Sequence, residues 1–566
     1  MMRIQPFVVF LWIAILPWST HGFVSTRTMT TSVIPQHPTT KFFLTTSSAA
    51  AAATVDDTTT PKNRPIFESF GKGVARDFGN RWPDYITTDW SDGANAQTLA
   101  TIFFLFFACL APAIGFGSLC DIATKGQMGA MEFVLSTSLS GILYALLSPQ
   151  PIGIIGPTGP NLAFTVSLYG LAQSLQLPFL PLFCWTGLWT SGLLALGSLT
   201  SLSHVVQYLT RFTDEIFNVL LSVMFIFDGL TDIFGKTLGV PVSVCSATRS
   251  LLTILCSIFT FVSATILKGM IKTKYFTKRL RKQLSNFAPA IAVVAGSLLA
   301  KGLGNRKYDI ALDSLNFPTT IQWKLVSLSA LPNWARFGVA LPSACLATLL
   351  MFLTQNITSR LNNNPNYKMS KGKRTSVLDG MHGDLLVLSG VTALSSLLGL
   401  PWMVGATTRS AAHVRSLLKI SSDDEGSSST TSIERTLEQR VSGLGIHLLM
   451  LLCMLRPTPR QWLGQVPLPV LSGILLYLGF TSLQGLDFWN RIQGLAKWDD
   501  TKTPYTTRFT IIQLIAVAAL MKVTKSQYGV LSPLIVALLP LVRKFIVKRI
   551  VPETSLNILD PIEEGG

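Results

Sequence analysis

Carboxylates are scarce in this sequence. Only 29 Asp and Glu stand against 46 Lys and Arg, and charged residues together make up 13% of the chain, about half the share of an ordinary soluble domain. That scarcity argues against a soluble enzyme. Cysteine is sparse as well: Cys109, Cys120, Cys184, Cys245, Cys256, Cys345 and Cys453 are scattered in or beside apolar stretches. They have neither metal-site nor disulfide spacing, so they read as small apolar packing residues, and no metal or other cofactor is expected. No large polar block is present either, since 48% of the 566 residues are apolar and the mean hydropathy is +0.44. At about 20 residues per span, that is material for a dozen or more helices in a lipid bilayer. The net charge of +17 would suggest nucleic acid in a soluble protein. Here the excess falls in short loops, as the positive-inside rule requires, and no nucleic-acid partner is expected.

The first 22 residues carry one early charge, Arg3, then an apolar run from Phe7 to Leu16, then Ser19-Thr20-His21-Gly22. This is the pattern of a signal peptide. Residues 23–62 are rich in Ser and Thr, hold Arg27 and Lys41, and contain no acid before Asp56, which is the composition of a transit peptide. Residues 63–97 mix aromatics with Lys72, Arg76, Asp77, Arg81, Asp84 and Asp89 and read as an amphipathic lead-in along the membrane interface.

From Thr98 onward apolar stretches recur between short polar connections. Periodicity and breakers give about fourteen segments, starting near 98, 128, 159, 181, 212, 249, 285, 336, 383, 406, 440, 469, 507 and 530. Two blocks follow, 98–303 and 336–548, with a tail at 549–566. The connections after the sixth and eighth segments hold Lys268, Lys272, Lys274, Lys278, Arg279, Arg281 and Lys282, and then Arg360, Lys368, Lys371, Lys373 and Arg374. Basic residues also follow the tenth, twelfth and fourteenth, so one membrane face carries most of the positive charge. Ser421 to Ser432 reads as a flexible loop by composition. Asn356-Ile357-Thr358 matches a glycosylation acceptor but lies within an apolar segment, so it is discounted.

Two segments are broken, and they occupy matching positions. The third follows Pro149-Gln150-Pro151 and Gly156-Pro157-Thr158-Gly159-Pro160, and the tenth follows Pro401 and Gly405-Ala406-Thr407-Thr408-Arg409. Each is the third member of a seven-segment half, and paired interruptions of this kind point to the central site of a transporter. A half-helix beginning at membrane depth aims its unpaired amides, and about half a positive charge, at its own start. Two such ends make a site for an anion. Arg409, costing at least about 2.5 to 3.5 kcal/mol at that depth, marks a pathway or a bound anion. The segments placed around the site, the first, third, eighth and tenth, contain no Asp or Glu. Glu132, Asp214, Glu215, Asp228 and Asp384 read as structural pairs or loop-end residues.

The stretches Leu99 to Cys120, Gln150 to Phe164, Arg211 to Phe227, Pro401 to His413 and Val466 to Gly485 resemble solute carrier family 4, the chloride/bicarbonate exchangers, sodium-bicarbonate cotransporters and borate transporters. The resemblance runs from Phe67 to Val551. It implies an all-α polytopic fold of the uracil-permease type: two inverted seven-helix repeats, a core of segments one to four and eight to eleven, a gate of the others, and a homodimer working by alternating access. The large amino-terminal cytoplasmic domain of animal members, and cytoskeletal anchoring through it, are not expected. The order of signal peptide and transit-like stretch resembles the plastid presequence of diatoms and related algae and implies a plastid membrane, with the plasma membrane as alternative.

Residue by residue, Arg409 matches the arginine at the exchangers' substrate site, and Thr158, Gly159 and Pro160 match the start of the third helix. Thr407 and Thr408 precede the arginine in the same half-helix start. Thr354 stands where the family usually has Glu or Asp, the residue associated with proton or sodium coupling. Two helix ends at about +0.5 each plus Arg409 leave a site of roughly +2 that holds no cation. The expectation is sodium-independent transport of bicarbonate, with chloride as exchange partner; a borate transporter of the same fold is the alternative. A nucleobase permease would want a carboxylate in the eighth segment. An intramembrane enzyme built on His382, Asp384 and Ser389 lacks any nucleophile motif. His413, one turn after Arg409, reads as structural.

Overall fold

The computed structural model describes residues 68–208, 211–238, 244–307, 312–314, 325–373, 378–420, 433–484, 486–496, 504–526 and 532–560. The signal and transit-like stretches and the serine-rich loop lie outside these residues. The lead-in forms helix α1 (Lys72–Ser91). Its outer side presents Trp82 and Ile86, with Phe70 exposed just before it, while Asp77, Arg81 and Asp89 are turned inward and buried.

The first block forms α2 (Ala96–Ala123), α3 (Ala130–Leu147), strand β1 (Ile155–Gly156), α4 (Gly159–Ser174), α5 (Phe179–Leu199), a 3-10 turn (Leu202–Tyr208), α6 (Arg211–Leu238), α7 (Val244–Gly269), α8 (Lys278–Asn286) and α9 (Ala288–Lys307). Local chemistry sets the starts. Asn95 caps α2 by accepting from the amide of Thr98 at 2.8 Å, and Glu132 reaches back to the Gly129 amide at 2.9 Å to begin α3. Glu132 is therefore a capping carboxylate, as Glu at this position of a first turn should be.

The second block forms α10 (Leu341–Asn362), α11 (Met381–Leu397), β2 (Val404–Gly405), α12 (Thr407–Ser416), β3 (Leu418–Ile420), β4 (Ile433–Thr436), α13 (Val441–Leu455), α14 (Pro457–Gly464), α15 (Leu468–Gln484), α16 (Asp487–Ala496), α17 (Pro504–Thr524), α18 (Ser532–Val542) and α19 (Glu553–Leu559). Every apolar stretch read from the sequence coincides with a helix. Six described helices are long and apolar enough to cross a membrane unaided, or seven if α15 and the start of α16, bent by 80°, are one span. Of the shorter apolar helices, α11 is largely buried by its neighbours, whereas α13 and the apolar part of α9 each keep an exposed apolar side, with Leu448 and Leu452 on the one and Val294 and Leu298 on the other.

Packing sorts the helices into two groups. In one, α5 lies on α11 and α10, α3 lies on α2 and α13, and α1 rests on α11. In the other, α15 lies on α6 and α7, α9 on α7, and α17 on α6. The groups meet where α15 touches α2 and where α18 touches α10. The helices named in the first group, α1 apart, were expected in the core and those named in the second in the gate, while α18 packs on α10 as well as on α17 and α6.

A buried ionic cluster fastens α1 to the core. Asp89 accepts from Arg81 at 2.5 and 3.1 Å and from Arg440 at 2.9 Å. Glu438 binds Arg81 at 3.2 Å and takes the amides of Ser370 and Lys371 at 2.8 and 2.9 Å. Arg440 also donates from Nη1 to the carbonyls of Ala145 and Leu146 at the end of α3, which an α-helix leaves without intrahelical partners. The cluster thus joins the lead-in, the connection after α10 and the start of α13.

Candidate functional site

The two broken segments meet. β1 and β2 pair antiparallel, with Ile155 opposite Gly405 and Gly156 opposite Val404. Each strand feeds a half-helix, β1 into α4 and β2 into α12. The chain is kept extended there by Pro157 and by Pro401, and Pro160 sits in the first turn of α4, where its missing N–H costs nothing.

Side chains from α10 and α3 hold the crossing in place. Gln355 accepts from the Gly405 amide at 2.9 Å and donates to the Tyr144 hydroxyl at 2.8 Å. Ser410 accepts from the amide of Ile154 at 2.9 Å and donates to its carbonyl at 3.1 Å, and the Ala406 amide donates to the same carbonyl at 2.8 Å. Asn161 of α4 donates to the Trp402 carbonyl at 3.3 Å, so the start of each half-helix is tied to the other's approach.

Arg409 lies in the first turn of α12 and is 5% exposed. Its Nη2 donates to the carbonyl of Pro157, directly before α4. Its Nη1 has no hydrogen-bond partner, and among the described residues no carboxylate pairs with it. The close fit depends on Gly156, because a Cβ there would fall 2.7 Å from Nη1. Thr158 is the residue before α4; its hydroxyl is buried, makes no cap bond and has no partner. Gly159 and Pro160 are buried beside it. Thr407 shares a 2.8 Å hydroxyl contact with Thr358 of α10, and Thr408 is half-buried. Thr354 is fully buried, and its hydroxyl donates to Leu350, four residues back in its own helix, at 2.8 Å. The structure therefore ties Arg409 to the carbonyl next to Thr158 and leaves Arg409 Nη1 and the Thr158 hydroxyl each without a partner, while Thr354 and Thr407 bond within the protein.

His413 is not part of this opening. Its Nδ1 lies 2.8 Å from the Ile152 carbonyl and its Nε2 2.6 Å from the Ser442 hydroxyl, which anchors α12 from behind. Gln355, Ser410 and Asn161 escaped the sequence reading, and Gly156 was read only as a breaker. Gln355 had one visible signal, its place in the polar run Thr354-Gln355-Asn356 inside an apolar segment.

A family model described as the HCO3- transporter integral membrane domain matches residues 68–249 and 234–564. The chain belongs to the bicarbonate transporter family, solute carrier family 4. Band 3 anion transport protein of Homo sapiens is 32% identical over 527 residues, covering 86% of this chain and 56% of that protein. The Rattus norvegicus protein of the same name is 31% identical over 519 residues, with 86% and 55% covered. Sodium bicarbonate cotransporter 3 of Homo sapiens is 30% identical over 549 residues, with 83% and 44% covered. The chain thus spans about half the length of the curated relatives it matches.

Among solved structures, the transmembrane domain of a cyanobacterial bicarbonate transporter, BicA, superposes with a TM-score of 0.52 at 17% identity, covering 76% of this chain and 96% of that one. Murine Solute Carrier 26 family member A9, an anion transporter in its inward-facing state, gives 0.52 at 14% identity, with 83% and 71% covered. These show a shared fold. Solute carrier family 4 members are transporters, and the would-be triad agrees with that: the Asp384 carboxylate accepts from Ser148, the Gln150 amide and Ser359. Ser389 donates to the Leu386 carbonyl.

Proposed function

We propose that this chain moves bicarbonate across a membrane by alternating access, without sodium and with chloride as exchange partner. The observation that carries the reading is Arg409: a buried guanidinium with one nitrogen unpartnered, beside the unpartnered hydroxyl of Thr158 and in front of two half-helix starts. A buried cation without a counter-charge is costly, and helix starts favour an anion. A small oxyanion satisfies all of these donors at once. The names of the relatives, an anion transport protein and a bicarbonate cotransporter, support the same class of substrate.

Independence from sodium rests on charge. With Thr354 in place of a carboxylate and its hydroxyl bound to its own helix, the site carries roughly +2, and nothing anionic stands ready for a cation. The test is flux in liposomes with labelled bicarbonate, chloride and borate, each with and without sodium. Bicarbonate uptake unchanged by replacing sodium is expected, with external bicarbonate driving chloride out. Uptake that vanishes without sodium overturns the reading, and borate flux alone would shift the substrate.

Location in a plastid membrane and assembly as a homodimer belong to the same proposal. The acid-poor, hydroxyl-rich stretch before residue 62 supports the first, and the family resemblance supports the second. Imaging of a tagged full-length chain and the mass of the purified protein check them.

A further inference from the structure

No Asp or Glu stands between Asp232 and Asp309, yet the connection at 268–282, within that stretch, carries seven Lys and Arg. The chain leaves the membrane-spanning part of α7 at Gly269, makes a 3-10 turn over Met270–Lys272 and enters α8 at Lys278. The connection is tied down at several points. Thr277 caps α8 through the Leu280 amide at 3.4 Å, Ser285 donates to the Lys268 carbonyl at 3.0 Å, and the Arg281 guanidinium folds back onto the Thr273 carbonyl. Between these ties Phe276 stands in the left-handed region at φ 64°, which strains a bulky residue. Tyr275 and Phe276 face outward and are among the most exposed aromatics of the described residues. The apolar side of α8 continues into α9: Leu280, Leu284, Phe287, Ile291, Val294 and Leu298, spaced three or four apart, line one groove of about 510 Å³. From Ala288 to Leu298 the helix rises about 15 Å, about the depth of one leaflet's hydrocarbon.

We propose that this groove seats one acyl chain of an anionic phospholipid, whose phosphate is met by the cations of residues 268–282. A basic amphipathic helix lies at the level of the lipid headgroups, and a basic patch at the end of a membrane helix draws anionic ones. The apolar groove alone selects nothing, because any lipid tail fills it. Selection comes from the charge. Seven cations in a stretch of chain without a single acid attract a headgroup of net negative charge and repel the ammonium of a zwitterionic one. A second copy of the chain is a poorer occupant, since a two-fold contact sets a patch against itself and presses these cations together. α9 lies on α7, so the seat belongs to the second helix group.

The test uses the full-length chain in phosphatidylcholine nanodiscs doped with a small fraction of a probe lipid that carries a diazirine in one acyl chain. The probe is phosphatidylglycerol or, in the parallel sample, phosphatidylcholine with the same chains. Each cation near the surface adds about five-fold in affinity, so the phosphatidylglycerol probe should label residues 284–298 at least about ten-fold more than its zwitterionic counterpart. The triple variant Lys274→Gln, Lys278→Gln, Lys282→Gln should bring the two probes level, with its thermal midpoint showing that the chain stays folded. Ala295→Phe fills the groove from its wall and should cut labelling of 284–298 by both probes, with every cation still in place. Equal labelling of the wild type by the two probes, or a preference that survives loss of the three lysines, overturns the proposal. Unchanged labelling in Ala295→Phe places the acyl chain elsewhere and overturns it as well. So does a disulfide between two copies carrying Leu298→Cys, which makes a second chain the occupant.

Discussion

Arg409 shows how much one residue's position can decide. A guanidinium at membrane depth needs a partner, and this one has a single carbonyl, that of Pro157, for its several donors. Arg409→Ala is expected to abolish bicarbonate flux while the protein stays monodisperse on size exclusion. Arg409→Lys keeps the charge but not the planar fork, and should recover only part of the flux. Gly156→Ala tests the geometry separately, since the added Cβ meets Nη1 at 2.7 Å and must displace it. Misplacing a binding group by about 1 Å costs up to roughly a hundred-fold in rate, so liposome flux should fall about ten- to a hundred-fold with folding intact. Arg409 was legible in the sequence because an arginine in an apolar run is conspicuous. Gly156 was not, since what it must avoid is a side chain 253 positions further along the chain.

At the scale of elements, α1 and the half-helices illustrate two ways of holding backbone in place. α1 is clamped by the Asp89 cluster, in which the carboxylate is fully buried between Arg81 and Arg440. Removing one partner of such a pair costs about 3 to 5 kcal/mol, so Asp89→Ala should lower the thermal midpoint strongly, read by a fluorescence melt. Asp77 predicts a pH dependence of its own. Its carboxyl is raised from 3.8 to about 7 by burial, so between those values the folded state binds more protons than the unfolded one. Stability therefore falls as pH rises through that window. Between about pH 4 and pH 7 this contribution falls as pH rises, levelling off above about 7, and Asp77→Asn, neutral throughout, should remove it from the pH dependence of the thermal midpoint. The N-terminal breakers of α4 and α12 were visible as Pro and Gly in the sequence, but the register of β1 on β2 was not, because it pairs residues 250 apart.

For the molecule as a whole, the proposed alternating access, by relative motion of two helix groups, makes a mechanical prediction. Ser140 of α3 and Ser395 of α11 both lie in the core, with hydroxyls 3.4 Å apart. Gly115 of α2 faces Leu475 of α15 across the boundary, with a Cβ at 115 only 3.6 Å from that side chain. In a background without native cysteines, a short bifunctional thiol-reactive linker between cysteines introduced at positions 140 and 395 should leave flux nearly unchanged. The same linker between 115 and 475 should stop it, and reduction of a cleavable linker should restore it. Equal inhibition by both would mean that the boundary lies elsewhere. The sequence pointed to this division only through the family resemblance, since no local pattern says which helix packs on which.

The sequence by itself determined the membrane, the helices and the two breaks, because lipid forces each segment to satisfy its backbone locally and so writes helices as apolar runs and breaks as Pro and Gly. It also determined the acid-free composition of the segments around the site. Only the tertiary structure decided which polar groups remain open there. Thr354 and Thr407 bond inward, whereas Arg409 and Thr158 each keep a donor without a partner. Hydrogen bonds of that kind depend on distances between segments far apart in the chain, and a linear pattern carries no such distances.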